Sequence, residues 1–173
     1  MKILSAAALA ALMMAGGAAA QSPPASAPRS PPPPPPPSIP AVLALEAAQT
    51  AMTTCTANGY NVGVAVVDSA GGTRLLIGVD AARQGALDSA VKKAFTAVTL
   101  AGPTAATEAQ AKTDEALKAK IAADPRLFAR AGGLPITVGG KIVAAIGVGG
   151  APGGEKDEVC ALAGVAKIQD RLK

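Results

Sequence analysis

Beyond residue 40 the apolar positions recur with clear periods. Ala41, Leu45, Ala48, Met52 and Cys55 fall on one stripe at i, i+4, i+7, i+11 and i+14, which predicts an amphipathic helix after Ser38 and Pro40 that ends at Asn58-Gly59. A Val-rich run over 61–68, the turn Ser69-Ala70-Gly71-Gly72 and a second run over 73–79 predict a β-hairpin. A second helix is expected over about 85–101, broken by Gly102-Pro103. Leu87, Val91, Ala94 and Val98 form its expected inner face, with Phe95 at the edge and Asp88, Ser89, Lys92, Lys93, Thr96 and Thr99 on the opposite side.

A third helix can start at Thr107, where Thr107-Glu108-Ala109-Gln110 has capping-box spacing. Glu108 to Lys112 and Asp114 to Lys118 would support it as i,i+4 pairs, and Asp124-Pro125 stops it. The hairpin pattern then repeats over 134–138 and 141–148 around Gly139-Gly140. A last helix over about 155–172 turns Ala161, Val165, Ile168 and Leu172 inward. The order αββααββα predicts an α+β domain over 41–173, an antiparallel sheet of two hairpins flanked by helices, instead of a doubly wound parallel sheet.

The first forty residues follow different rules. Lys2, the apolar stretch 3–14 and Ala18-Ala19-Ala20 match the three regions of a signal peptide over 1–20, which predicts a periplasmic or secreted protein. No cysteine follows the cleavage region, so nothing suggests a lipoprotein. Eleven of the fifteen prolines lie between Pro23 and Pro40, so 21–40 is expected to be a proline-rich linker in the polyproline II form. At ~3.1 Å per residue the eighteen positions 23–40 can reach ~55 Å, as a plain spacer or as a tether read by a partner.

Composition narrows the chemistry. The chain has no histidine and no tryptophan, and its aromatics are Tyr60, Phe95 and Phe128. Ser-His-Asp and Cys-His nucleophile systems, His acid–base catalysis and His-ligated zinc or haem are all excluded. A formal charge of +4, without basic runs interleaved with aromatics, disfavours nucleic acid as a partner.

Three motifs have structural readings that outweigh their functional ones. The segment 147–154 lies between strand and helix but fails both phosphate-loop patterns. Pro152 stands at the third glycine of GxGxxG, and Glu155 stands where a P-loop needs Lys. Glu155, Asp157 and Glu158 resemble hard-metal ligands, but acids are also favoured in the first turn of a helix. Lys92, Lys93 and Thr96 on one helix face could meet an anion, but on spacing alone a solvated face with an Asp88 to Lys92 pair is the better explanation. Cys55 and Cys160 are the only thiols. Export favours a disulfide between them, and two separate small core residues are the alternative. The residues by themselves describe a binding protein more readily than a hydrolase and assign no catalytic group.

Several segments together resemble the GlcG/HbpS family of haem-binding or haem-degrading domains. They are VAVVDSAGG at 64–72, LDSAVKKAFTA at 87–97 with Pro103-Thr104, GGLPI at 132–136, and AIGVGGAPGG at 145–154 with Asp157-Glu158 and Cys160-Ala161. The similarity spans essentially all of 41–173. It implies an antiparallel α/β domain that forms homo-oligomers and, in exported members, binds haem. A secreted member acts beside a membrane sensor kinase, so a membrane sensor or other envelope partner is also implied.

The exported haem binder of this family is described as using a threonine oxygen. The resemblance therefore implies Thr96 as the iron-facing group, with Thr104 as its rival. Lys92, Lys93 and Arg83 become propionate partners, and Phe95 and Tyr60 ring contacts. Other members are linked to glycolate or corrinoid functions. A small-molecule or corrinoid binder, or a haem-free signalling module tethered by its proline-rich arm, are thus the competing expectations.

Overall fold

A computed structural model describes residues 33–172. The expected signal peptide, and residues 21–32 of the expected linker, lie outside the described residues. The described chain contains α1 (Ala41–Ala57), β1 (Gly63–Asp68), β2 (Thr73–Gly78), α2 (Gln84–Thr99), α3 (Thr104–Gln110), α4 (Glu115–Ala123), β3 (Gly133–Val138), β4 (Lys141–Gly149), α5 (Gly154–Ile168) and a closing 3-10 turn, Gln169–Arg171. The four strands form one antiparallel sheet in the order β2-β1-β4-β3. This is the expected α+β architecture, with each hairpin supplying one half of the sheet.

The central strands β1 and β4 are buried on both faces because their side chains alternate between two helical layers, while the edge strand β2 stays largely exposed. Val64, Val66, Leu134, Ile136, Ile146 and Val148 face α1 and α5 and make the larger core. Ala65, Val67 and Ala145 face α2 and pack against Ala90, Ala94 and Ala97. The second layer is built almost wholly from small side chains, so the α2 backbone lies close on the sheet. A Cβ on Gly147 would stand 2.1 Å from the Ala90 carbonyl oxygen, and one on Gly133 would stand 2.5 Å from the Lys93 carbonyl oxygen.

This close approach corrects the expected orientation of α2. Its buried residues are Ala86, Ala90, Lys93, Ala94, Thr96 and Ala97. Leu87, Val91 and Val98 are only partly buried. The helix turns its smallest face to the sheet, because glycines on the strands leave no room for Leu or Val. Lys93 and Thr96 therefore point inward, away from the outward face that carries Asp88 and Lys92.

The expected third helix is two helices. Asp114 accepts a hydrogen bond from Leu117 N–H at 2.9 Å and so caps a new helix, α4, in the middle of the predicted one. The Thr107 hydroxyl donates to the Pro103 carbonyl instead of forming a capping box, because α3 has already begun at Thr104. Glu108 turns away from Lys112 to accept from Ala131 N–H, and Lys118 pairs with Glu115.

Cys160 is not part of the expected inward stripe Ala161, Val165, Ile168 and Leu172 of the last helix. It is buried, because Gly164 lets α5 settle against the Ala47 carbonyl of α1 and carries Cys160 inward with it. A Cys55–Cys160 disulfide joins the two helices.

Candidate functional site

The sequence segments singled out above converge on α2, but they serve different purposes there. Lys93 Nζ lies 2.6 Å from Asp157 Oδ2 and donates to the Val148 carbonyl at 2.9 Å, with both charged side chains almost fully enclosed. Asp157 Oδ1 accepts from Ala151 N–H. Burial pushes the Asp157 carboxyl above its ordinary value, against the hydrogen bond and attraction of Lys93 and the Ala151 N–H. This pair ties α2, β4 and the start of α5 together. Lys93 is thus held in the interior, with no face toward solvent. Asp157, read from sequence as a first-turn acid, is the buried counter-ion of that lysine.

The two threonines are also interior. The Thr96 hydroxyl donates to the Lys92 carbonyl at 2.7 Å and accepts from Phe128 N–H at 2.8 Å. The Thr104 hydroxyl accepts from Gly133 N–H at 2.8 Å and lies 3.3 Å from the Gly133 carbonyl. Each hydroxyl fastens a loop or strand to α2 or α3, and neither side chain reaches the surface of the chain as folded.

Two clefts flank the outward side of α2. The first, about 530 Å³, is lined by Gly71, Asp88, Val91, Lys92, Phe95, Pro125 and Arg126. Its apolar part comes from Val91 and Phe95, the residues displaced outward when the alanine face took the sheet. The β1–β2 turn forms one wall. Asp68, buried, accepts from Ala70 and Gly72 N–H and fixes that turn. Gly71, at φ 83°, then lies directly on the Phe95 ring, where a Cβ would come within 2.5 Å.

Arg126 forms the opposite wall, its guanidinium 4.6 Å from the Phe95 ring centroid. Asp124 takes its Nε and Nη2 hydrogens. Nη1 has no intramolecular partner among the described residues. The Arg126 hydrogen bonds and charge hold the Asp124 carboxyl down at about 2, so this arrangement persists throughout the physiological range. No sequence signal marked Arg126, which becomes a site residue only because the 125–130 loop folds back over α2.

The second cleft, about 670 Å³, lies at the start of α2 and is lined by Tyr60, Asn61, Arg83, Ser89, Gly150 and Pro152 among others. Of the expected ligand contacts, Lys92 and Phe95 meet at the first cleft and Arg83 and Tyr60 at the second. The structure does not bring all of them together.

A porphyrin site needs an apolar surface for the ring, cations for the propionates and, for tight ligation, a His, Cys, Met or Tyr. The first cleft meets the first two conditions. The third is not met by any residue lining it: its polar side chains are Lys92, Arg126 and Asp88, which already accepts from Gln84.

Known proteins share the fold. The solved HbpS double mutant of Streptomyces reticuli is 36% identical, covers 83% of this chain and 97% of its own, and superposes with a TM-score of 0.72. A second HbpS structure is 38% identical over 75% of this chain and 89% of its own, at a TM-score of 0.69. The PduOC:heme complex has the same fold at 20% identity, with a TM-score of 0.67 and coverage of 76% and 95%. No curated protein matches the chain. Residues 39–166 match the family described as "Haem degrading protein HbpS-like", and the chain belongs to that family.

Proposed function

We propose that this protein is an exported haem-binding protein whose porphyrin lies in the first cleft, against Val91 and Phe95, with its propionates toward Lys92 and Arg126. The observation that carries this reading is the pairing, in one cleft, of an aliphatic and aromatic floor with two cations at the rim. The family's haem-degrading description supports it, as does a neighbour of the same fold solved with haem. Export is supported by the signal-peptide pattern at 1–20 and by a disulfide, which persists in oxidising compartments. Self-association would cover Val42, Leu45, Val159 and Leu162, which stand exposed on α1 and α5.

When bound, haem would supply a redox-active iron. The chain's own residues bury one face of the ring and hold the propionates. With no histidine available, the iron is expected to be weakly ligated and high-spin.

A hemin titration followed in the Soret band tests the proposal. A saturable shift is expected, weakened about tenfold or more in Phe95→Ala and in Arg126→Glu, equivalent to ~1.4 kcal/mol. Thr96→Val should leave the Soret position unchanged while lowering stability, because its hydroxyl is committed to Phe128 and Lys92. The absence of any saturable shift would reject haem binding, and a changed Soret position in Thr96→Val would return the iron to that oxygen.

A further inference from the structure

The second cleft is a built site that the haem reading does not use. Three loops from one end of the sheet enclose it: Gly59, Tyr60 and Asn61 after α1, Ala81 and Arg83 before α2, and Gly150 and Pro152 after β4. Its walls are set by backbone contact. Gly150, at φ 120°, is so close that a Cβ there would lie 2.5 Å from the Asn61 carbonyl and 2.9 Å from the Ala86 methyl. The cleft is therefore a fixed feature of the fold.

Its electrostatics are one-sided. No Asp or Glu lines it. Arg74, Arg126, Arg130 and Arg171 all have carboxylate partners, whereas Arg83 has none among the described residues. Lys156, likewise without an ion pair among the described residues, lies 5.5 Å from the centroid of the Tyr60 ring that lines the cleft. Among the described residues the other arginines all find an acid, so an unpaired one at a concave, acid-free site has its planar fork of donors available for an oxyanion. Asn61 adds an amide. Ser89, whose hydrogen goes to the Ala86 carbonyl, keeps oxygen lone pairs to accept from a ligand hydroxyl.

We propose that this cleft binds a small oxyanion-headed organic molecule, with Arg83 as the main anchor, Lys156 as the second cation, and Asn61 and Ser89 as the groups that orient its polar body. The head group is a carboxylate or a phosphate. The site is separate from the porphyrin cleft, and its occupancy does not depend on haem.

The test is an amide-NMR titration of the oxidised full chain, without hemin, using succinate in one arm and inorganic phosphate in the other. Saturable shifts confined to 59–61, 81–89 and 150–156 are expected in at least one arm, and the arm that responds identifies the head group. Arg83→Gln should weaken binding about tenfold or more, the loss expected for a charge-assisted bidentate contact. Arg83→Lys should recover part of it, and Phe95→Ala should leave it unchanged. No saturable shift in either arm at tens of millimolar, or shifts equal in wild type and Arg83→Gln, would overturn the proposal. A hemin titration of Arg83→Gln, expected to match wild type, separates failure here from failure of the haem reading.

Discussion

At the scale of single residues, the buried charges are the most consequential feature. Lys93 and Asp157 are 3% and 4% exposed, so removing either partner leaves an uncompensated charge in the interior. Lys93→Met and Asp157→Asn are each expected to cost about 3–5 kcal/mol in urea unfolding, and a double replacement of the pair by apolar residues should recover most of that loss. Glu158 behaves differently. Burial pushes its carboxyl up, Lys93 pulls it down and Glu108 pushes it up, with burial dominant. A carboxyl raised on folding favours the native state fully only below its unfolded value, and that contribution is lost as pH rises through the folded value. Glu158→Gln is therefore expected to raise Tm at pH 7 relative to wild type, with the difference vanishing at pH 4 and below in a thermal melt series.

Sequence patterning could nominate Lys93 and Thr96 as polar residues near a ligand, since it marks which residues are polar. Their inward direction depends on the rotation of α2 about its axis. That rotation is set by glycines on β1, β3 and β4, more than thirty residues away for the last two.

At the scale of elements, α2 is held by close backbone approach. Gly147→Ala would place a methyl 2.1 Å from the Ala90 carbonyl, and a helix backbone has no flexible end to give way. A loss of ~3 kcal/mol or failure to fold is expected, read by denaturation or by soluble yield. Gly85, in the same helix but with open space around its Cβ position, gives the contrasting result: Gly85→Ala should stabilise by roughly 0.5–1 kcal/mol. The glycine-rich run 147–154 thus serves helix packing at Gly147 and Gly149 and loop geometry at Gly150 and Gly153, which matches the failure of its phosphate-loop spacing. The division of the third helix into α3 and α4 was readable in part. Asp114 is a good capping residue, but its local preference competed with an equally local i,i+4 pairing, and docking of Glu108 onto Ala131 decided between them.

At the scale of the whole molecule, the disulfide closes a separation of 105 residues and ties α1 to α5 behind the sheet. In the chain-entropy model such a loop contributes ~4–5 kcal/mol, so reduction or Cys55→Ala with Cys160→Ala should lower the denaturation midpoint by a corresponding amount. Because the first cleft lies on the α2 side of the sheet, away from α1 and α5, hemin binding measured well below that midpoint should survive the double substitution.

The α+β class, the two hairpins, the family and the exclusion of histidine chemistry were determined by the sequence alone, because hydrophobic period, turn residues and composition are local or additive properties. Only the tertiary structure decided which face of α2 is buried, that Lys93 meets Asp157, and that Arg126 arrives beside Phe95 while Arg83 borders a separate cleft. Those outcomes depend on which surfaces can approach within a few ångströms of each other, and steric fit between distant segments is not written in the period of either one.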